Sequence, residues 1–279
     1  WSGSRATSGS ASTGALTAAT NTFTLTCSGA GGSASQSTTV TVGSGGSFGL
    51  DFQGSAATTG TVRFRFLNPL AIYPATYIWK VRPRQQAGYY TTFFWGPDGP
   101  FWWDDGTPNT YYGCHPYPQP PQTGTVHKWE IATDFGGDFL SNEYVVYDRW
   151  YTQALVAWSD SAGKHTVCYW DLPDTSKVIV HVSPVSYGNK MPPTPALTFG
   201  DAPWNPSQEI MNGVLRGIQV YSTNLSLADV LAEAANPRST AAGASYIWYL
   251  NLNPTPSDIA DKSGKGHHPA WVGAERPLL

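Results

Sequence analysis

The side chains best suited to binding a ligand are concentrated between Trp95 and Tyr117. Aromatic residues recur along this stretch, at Trp95, Phe101, Trp102, Trp103, Tyr111, Tyr112 and Tyr117. Polar residues are interleaved with them, at Asp104, Asp105, Asn109 and His115. Aromatic rings stack on the apolar C–H faces of sugars, while carboxylate, amide and imidazole groups hydrogen bond to the hydroxyls. The pattern therefore predicts a carbohydrate site formed by Trp95, Trp102, Trp103, Asp104, Asp105, Asn109, Tyr111, Tyr112 and His115.

Two considerations bear on this predicted site. The stretch is rich in proline and glycine, which favours a long, stiff loop over a regular strand, and long ordered loops on a rigid β scaffold are frequent binding sites. Alternatively, the same rings pack on the convex sheet, on the N-terminal segment or on a neighbouring subunit. The sequence leaves both interpretations open.

The chain has three cysteines, Cys27, Cys114 and Cys168, and their spacing fits no zinc motif. An odd number in a chain with secreted character leaves one thiol over. We predict a disulfide between Cys114 and Cys168, with Cys27 either free or paired with another chain. The alternative is that Cys114 and Cys168 are two separate buried thiols, which are common in protein cores.

The composition excludes several classes of protein. Of the 279 residues, 13% are charged and 14% are aromatic, and the net charge is −3. Soluble domains are usually about 25% charged. The balance argues against a long helical protein and against a nucleic-acid partner, and no apolar stretch is long enough for a membrane helix. An aromatic, turn-rich chain with little charge is typical of an all-β protein, and we expect it to be extracellular or at the cell surface.

Strand patterns and one helix account for most of the chain after residue 47. Short runs of strand-forming residues alternate with turns, which is typical of a β sandwich or jelly roll. The predicted strands are 60–67, 75–81, 89–95, 126–132, 144–148, 153–159, 166–170, 177–183, 197–199 and 214–221. Ser226 has the character of an N-cap, and the run after it predicts a short helix that ends at Asn236-Pro237.

The first 47 residues differ from the rest and set the predicted domain boundaries. They are dominated by Ser, Thr, Gly and Ala, and Arg5 is their sole charge. Runs 23–27 and 37–42 alternate apolar and polar residues around a Gly-rich turn, which predicts a β hairpin. We therefore divide the chain into a β segment (1–42), a flexible linker (43–47) and a main domain (48–279). The N-terminal residue is Trp, and we expect a processed or partial chain from the C-terminal part of a larger secreted protein.

Two resemblances extend this interpretation. The run TFTLTCSGAGGSASQSTTVTV resembles the C-terminal half of a bacterial immunoglobulin-like repeat, whose earlier half is absent. The resemblance implies that residues 1–42 either pack on the following domain or are completed by strands from another chain. In the main domain, RWYTQALVAWSDSAGKHTVCYWD, NGVLRGIQVYSTNLSLADVLAEA and DKSGKGHHPAWVG resemble segments of the laminin-G or concanavalin A-like jelly roll. We therefore expect an all-β, concanavalin A-like sandwich preceded by a partial Ig-like segment.

The concanavalin A-like resemblance also implies two possibilities to consider, a catalytic site and a calcium site. Glucanases of that fold carry three acids at alternate positions of one strand. Here Glu130 and Asp134 share a strand face, but Lys128 stands where a third acid would be expected. An enzyme is therefore uncertain and not favoured. Calcium is common in the family, and the candidate ligands are Asp104, Asp105, Asp201 and Asn205.

Two further patterns each have a structural and a functional interpretation. His267 and His268 suggest a transition-metal site, but the resemblance makes them part of a structural turn. Lys80, Arg82 and Arg84 alternate on one strand face, where they either meet an acidic glycan or are simply solvated.

Three functions remain after these arguments. The leading hypothesis is a non-catalytic extracellular adhesion module that recognises carbohydrate or another surface. The second is a structural subunit of an extracellular assembly or filament, joined through residues 1–42. The third is a concanavalin A-like glycoside hydrolase or polysaccharide lyase.

Overall fold

The computed structural model describes strands of two units and some of the segments between them. The described residues are 20–41, 49–54, 63–67, 74–89, 93–97, 112–121, 123–132, 138–183, 195–200, 210–236, 246–250, 261, 263, 265, 268 and 270–272. The chain divides into two compact units, Trp1–Ser47 and Phe48–Leu279. Within the described residues, no helix has the length and apolar character that crossing a membrane requires.

The N-terminal unit contains an antiparallel hairpin of strands β1 (Thr20–Gly29) and β2 (Gly32–Thr41). Hydroxyl side chains line one face, where Thr24 and Ser37 lie 2.7 Å apart and Thr26 and Ser35 lie 2.8 Å apart. The opposite face carries Phe23, Leu25 and Cys27, as strand alternation requires. The predicted hairpin is confirmed, with a turn at residues 30–31.

The second unit is a sandwich of two antiparallel sheets. In the described part of the chain, sheet 1 contains seven strands: β3 (Leu50–Gln53), β5 (Ala75–Pro83), β10 (Tyr151–Asp160), β11 (Gly163–Tyr169), β12 (Val178–Ser183), β14 (Asn212–Tyr221) and β15 (Tyr246–Leu250). Their order is β12-β11-β10-β5-β14-β15, and β3 also pairs with β14. The expected all-β class is confirmed.

Sheet 2 also contains seven strands among the described residues: β4 (Arg63–Leu67), β6 (Phe93–Pro97), β7 (Tyr112–Pro118), β8 (His127–Ala132), β9 (Asp138–Tyr144), β13 (Pro195–Gly200) and β16 (Ala270–Val272). Their order is β16-β4-β13-β6-β7-β8-β9. β7 and β8 lie side by side near one end of this order, and they position the candidate site described below.

Large aromatic side chains fill the space between the sheets. Trp79 of sheet 1 and Trp129 of sheet 2 are fully buried in one hydrophobic cluster. The ring of Trp129 meets that of Tyr151 edge to face, with centroids 4.9 Å apart. Offset and edge-to-face pairs of this kind add stabilisation beyond the area they bury. The shared core fixes the distance between the two sheets and determines which face of each sheet points inward.

A turn-and-helix element covers part of the other face of sheet 1. Helix α1 (Leu227–Ala235) begins after Ser226, whose hydroxyl accepts a hydrogen bond from the backbone N–H of Asp229. The same hydroxyl donates to the Asp229 carboxylate at 2.7 Å. Val230 and Ala234 of the helix pack in a second apolar cluster with sheet 1. The predicted helix and its cap are confirmed.

Two sequence-based predictions are wrong in detail. The run 144–148 is not a strand, because β9 ends at Tyr144 and residues 147–148 form a turn in which Asp148 has φ 59°. Residues 112–118, expected in a loop, form β7 despite Pro116 and Pro118. In the described ladder, β6 pairs only with Tyr112 and Gly113 of β7. The prolines therefore lie where that side of the strand requires no donor.

The two cysteines predicted to pair meet in the core. Cys114 of β7 and Cys168 of β11 are fully buried members of the same cluster, and their thiols are hydrogen bonded across the sandwich. Burial raises the pKa of the Cys114 thiol, and the contact with Cys168 and the charge of Glu130 raise it further. Both residues have free thiols in this structure, whereas Cys27 is exposed. The disulfide itself stays a prediction.

We predict that oxidative refolding joins Cys114 to Cys168. The bond would close a long loop, and loop entropy gives a stabilisation of about 4 kcal/mol. The measurement is peptide mapping without reductant, together with the thermal midpoint before and after reduction. The Cys27→Ser variant is the control and should show the same shift. Three titratable thiols in the unfolded, oxidised protein would contradict the prediction.

One buried and one partly buried histidine give the fold a defined response to acid. The ring of His127 is buried, its Nε2 lies 2.7 Å from the carbonyl oxygen of Gly88, and its Nδ1 contacts the Tyr147 hydroxyl. Burial lowers the pKa of His127, and burial also lowers the pKa of His181, whose ring packs against Phe139. Below the ordinary histidine pKa, the unfolded chain therefore binds more protons than the folded one.

We predict that stability is constant near neutral pH and falls as the pH drops from about 6.5 through the lowered folded-state pKa values. His127→Gln should reduce this loss, because glutamine supplies an amide donor for the Gly88 carbonyl and does not titrate. Urea unfolding at a series of pH values measures the effect. An identical acid response in the variant would show that His127 is not responsible.

Candidate functional site

The outward face of sheet 2 is defined by alternation along β7 and β8. Cys114 and Trp129 point into the core, so their neighbours in sequence point away from it. His115 is the cross-strand partner of Glu130, and Tyr117 is the partner of Lys128. Two adjacent pairs of functional side chains therefore share one surface.

His115 and Glu130 form a hydrogen-bonded pair beneath this surface. The Nε2 atom of His115 lies 2.8 Å from Oε2 of Glu130, and their side chains are only 13% and 2% exposed. A carboxylate that accepts from one ring nitrogen fixes the orientation of the imidazole. Glu130 therefore acts as a positioning group for His115, which is the more accessible member of the pair.

Tyrosines and a lysine lie beside this pair. The rings of Tyr89 and Tyr117 meet edge to face, with centroids 5.8 Å apart. The Lys128 amine lies 5.3 Å from the ring centroid of Tyr144, which is its partner on β9 and is 58% exposed. We refer to Tyr89, Tyr117, Lys128 and Tyr144 as the tyrosine face. It combines apolar rings with hydroxyl and ammonium donors, which suits a ligand with both apolar faces and hydroxyls.

Only part of the predicted carbohydrate site falls within the described residues. His115 lies beside the tyrosine face, and Trp95 and Tyr112 are backbone partners on β6 and β7. The other predicted ligand-binding residues lie outside the described residues: Trp102, Trp103, Asp104, Asp105, Asn109 and Tyr111. The site prediction as a whole therefore stays a prediction.

The sequence did not single out Tyr89, Lys128 or Tyr144 as ligand-binding residues. Tyr89 and Tyr144 belong to different segments of the chain, and the fold brings Tyr89 against Tyr117 and Tyr144 against Lys128. The signal for Lys128 was present, because it shares a strand face with Glu130, but its value as a donor depends on the cross-strand register.

Only one of the two acids considered for catalysis falls within the described residues. Glu130 pairs with a histidine, and Lys128 lies on the same outward face. Asp134, the second acid of that hypothesis, lies outside the described residues. Glycosidases need two carboxyl groups that flank the scissile bond, and the observed pair of His115 and Glu130 does not supply them.

The metal sites considered from the sequence also stay predictions. The described residues contain no group of three or more His, Cys, Asp or Glu side chains that could hold a metal ion. The calcium candidates Asp104, Asp105, Asp201 and Asn205 lie outside them. His268 has a structural contact, since its Nδ1 accepts the backbone N–H of Asp261 at 3.1 Å. Asp261 in turn accepts hydrogen bonds from the backbone and hydroxyl of Ser263.

The predicted basic stripe on β5 divides into residues with different surroundings. Arg84 pairs with Asp51, and Arg82 lies 3.7 Å from the carboxylate of Asp148. Lys80 instead has Arg216 as a cross-strand partner. The first two cations are thus neutralised within the fold, and Lys80 lies beside a second positive charge.

Among known proteins, this chain is similar to solved structures in fold. No known family matches the chain, and no curated protein matches it. A heptameric SAP-like pentraxin from Limulus polyphemus is similar over 81% of this chain and 91% of its own, with 13% identity and a TM-score of 0.48. A candidate carbohydrate binding protein from Bacteroides ovatus is similar over 92% and 69%, with 13% identity and a TM-score of 0.46.

A third likeness is to domain 4 of an extracellular arabinanase from Geobacillus stearothermophilus, whose structure contains arabinotriose. It covers 77% of this chain and 87% of the domain, with 13% identity and a TM-score of 0.36. These likenesses concern the β-sandwich architecture, and what this chain binds must be argued from its own side chains.

Proposed function

We propose that this protein is a non-catalytic, extracellular carbohydrate-binding module, and that the tyrosine face is its sugar platform. The observation that carries the proposal is the pairing of Tyr117 with Lys128 on the outward face of sheet 2, next to the pair of His115 and Glu130. Ring, ammonium and imidazole groups stand within one cross-strand step of each other.

The side chains of the tyrosine face are better suited to binding a sugar than to packing inside the protein. Tyr144 is 58% exposed, and an exposed tyrosine offers both an apolar ring and a hydroxyl. Stacked rings hold the C–H face of a pyranose or furanose, and Lys128 and His115 supply polar contacts at its rim. The side chains project from strands, which fixes their spacing more firmly than a loop would.

The surroundings of Glu130 favour binding over catalysis. A general acid or nucleophile must reach the glycosidic bond, but Glu130 is almost completely buried and engaged by His115. Its role in the proposal is to hold the imidazole in one orientation. An extracellular location fits the low proportion of charged residues and the Ser/Thr-rich hairpin at the N-terminus.

We predict that the protein is retarded in native gels that contain at least one of arabinan, xylan, mixed-linkage glucan or galactomannan. Tyr117→Ala should weaken this retardation by about fivefold or more, since a lost stacking contact corresponds to ~1 kcal/mol. The control is Val180→Ala, because Val180 is 58% exposed and lies on sheet 1, away from the tyrosine face.

The same gels distinguish the alternatives. Equal retardation of the two variants, or no retardation in any polysaccharide, contradicts the tyrosine face as the platform. Release of reducing sugar that disappears in Glu130→Gln would instead identify an enzyme. Gels run with calcium and with a chelator test whether Asp104, Asp105, Asp201 and Asn205 bind calcium that the interaction needs.

A second candidate function is a structural subunit joined through residues 1–42. Within the described residues, β1 and β2 pair only with each other, so each has an outer edge that no other described strand occupies and that another chain could extend. Leu25 is 51% exposed, and Cys27 is exposed on the same face. A second copy of the chain could cover this face and extend the sheet.

The assembly hypothesis predicts an oligomer or filament in sedimentation velocity runs under reducing conditions. Leu25→Lys should dissociate it, because the charge would be buried in the interface. Thr24→Lys is the matched control, since Thr24 lies in the same strand but on the hydroxyl-lined face. A monomeric wild-type protein across the concentration range would rule out this function.

A further inference from the structure

We propose a second binding site, on the outward face of sheet 1, for the carboxylate or sulfate groups of an acidic polysaccharide. Its residues are Lys80 of β5, Arg216 of β14 and Trp150, which immediately precedes β10. This site lies on the opposite side of the sandwich from the tyrosine face and does not depend on it.

The register of sheet 1 places two cations side by side. Lys80 is the cross-strand partner of Arg216 on one side and of Thr152 on the other. Neither neighbour offers a carboxylate, so the lysine is flanked by a hydroxyl residue and a second positive charge. Like charges directly opposite each other in a sheet are destabilising. The arrangement is therefore one that a bound anion would relieve.

The two cations are also partly removed from water. Lys80 and Arg216 are both half-buried. Burial lowers the pKa of Lys80, and the neighbouring charge of Arg216 lowers it further. Burial likewise lowers the pKa of Arg216. An anion between these groups would interact in a medium of lower dielectric than bulk water, where charge-assisted hydrogen bonds are strong.

Trp150 and a bulge give the pair a fixed geometry. The Arg216 guanidinium carbon lies 3.8 Å from the ring centroid of Trp150, so the planar group is stacked on the indole. The ladder between β5 and β14 is irregular after Arg216, where Gly217 has φ 59°. A methyl group on Gly217 would lie 3.9 Å from Cδ of Lys80, so the bulge packs along the lysine stem.

The contrast with neighbouring cations makes the pair distinctive. Arg82, two residues along the same strand face, lies against Asp148, and Arg149 pairs with Asp171. In the part of the chain that the structure describes, no carboxylate lies within ion-pair distance of Lys80. Arg82 and Arg149 thus pair within the fold, whereas Lys80 has a cation as its cross-strand partner, and we assign the external anion to this lysine.

The ligand class follows from the shape of the site. Two half-buried cations and an indole on one sheet face suit a sugar ring that carries its own charge, as in uronic acid or sulfated polymers. A single small anion offers the same charge, but it has no ring to stack on the indole. It also lacks the many charged units of a polymer, each of which can bind in turn. The proposal therefore assigns the site to an acidic polysaccharide and treats a free anion as the rival source.

The test is native affinity electrophoresis and titration with polygalacturonate and dextran sulfate, with uncharged dextran and inorganic sulfate as comparison probes. We expect binding to at least one acidic polymer and none to dextran. Lys80→Gln and Arg216→Gln should each weaken it about tenfold, corresponding to the loss of one charge-assisted contact. Circular dichroism and the thermal midpoint check that each variant is folded.

Arg82→Gln is the matched control, because it removes the same charge from the same strand face at a residue already beside Asp148. It should change the affinity less than twofold. An equal loss in Arg82→Gln and Lys80→Gln would mean that the polymer responds to overall charge, and it would overturn the site. Binding of inorganic sulfate as tight as that of the polymers would overturn the polysaccharide assignment. Since Tyr117→Ala leaves this site intact, it should bind the acidic polymers normally.

Discussion

The packing of the two sheets' inner faces on one shared set of aromatic side chains is the constraint on which the rest of the second unit depends. Trp79 and Trp129 are completely buried in it, and such large rings leave no freedom for the strands to slip by one residue. A slip would turn the inward side chains outward along the whole strand. The functional groups on the outer faces are therefore positioned by the core, although they do not belong to it.

This dependence explains why polar pairs are held in place on the outward faces of the sheets. His115 and Glu130 lie opposite each other because their neighbours Cys114 and Ile131, which are also cross-strand partners, are buried. Lys80 lies beside Arg216 because Val81 and Leu215 pair one step away in the core of the same sandwich. In both cases, apolar residues one position along each strand set the register of the polar ones.

The parts of the fold that the sequence predicted well are those governed by local patterns. The helix was predicted from the cap at Ser226 and the residues that follow it, and most strands from local alternation. β7 was missed, because its prolines argue against a strand unless the incomplete pairing with β6 is known. The turn at Asp148 was missed because Tyr144–Tyr147 has strand-forming side chains. That segment instead donates from the Val145 amide to the His127 carbonyl and from the Asp148 amide to the Pro83 carbonyl.

The candidate sites show the limit of sequence reasoning more clearly. Lys80, Arg82 and Arg84 look equivalent in the sequence, yet their partners come from residues far along the chain. Asp148 and Asp51 neutralise the two arginines, while Arg216 adds a charge beside the lysine. In a protein with so few charged residues, each ion pair formed within the fold leaves fewer charges for outside partners. Because the chain has so few charges, few charged groups remain available to bind an outside partner. Among the described residues, Lys80 is one whose charge no carboxylate of the fold cancels.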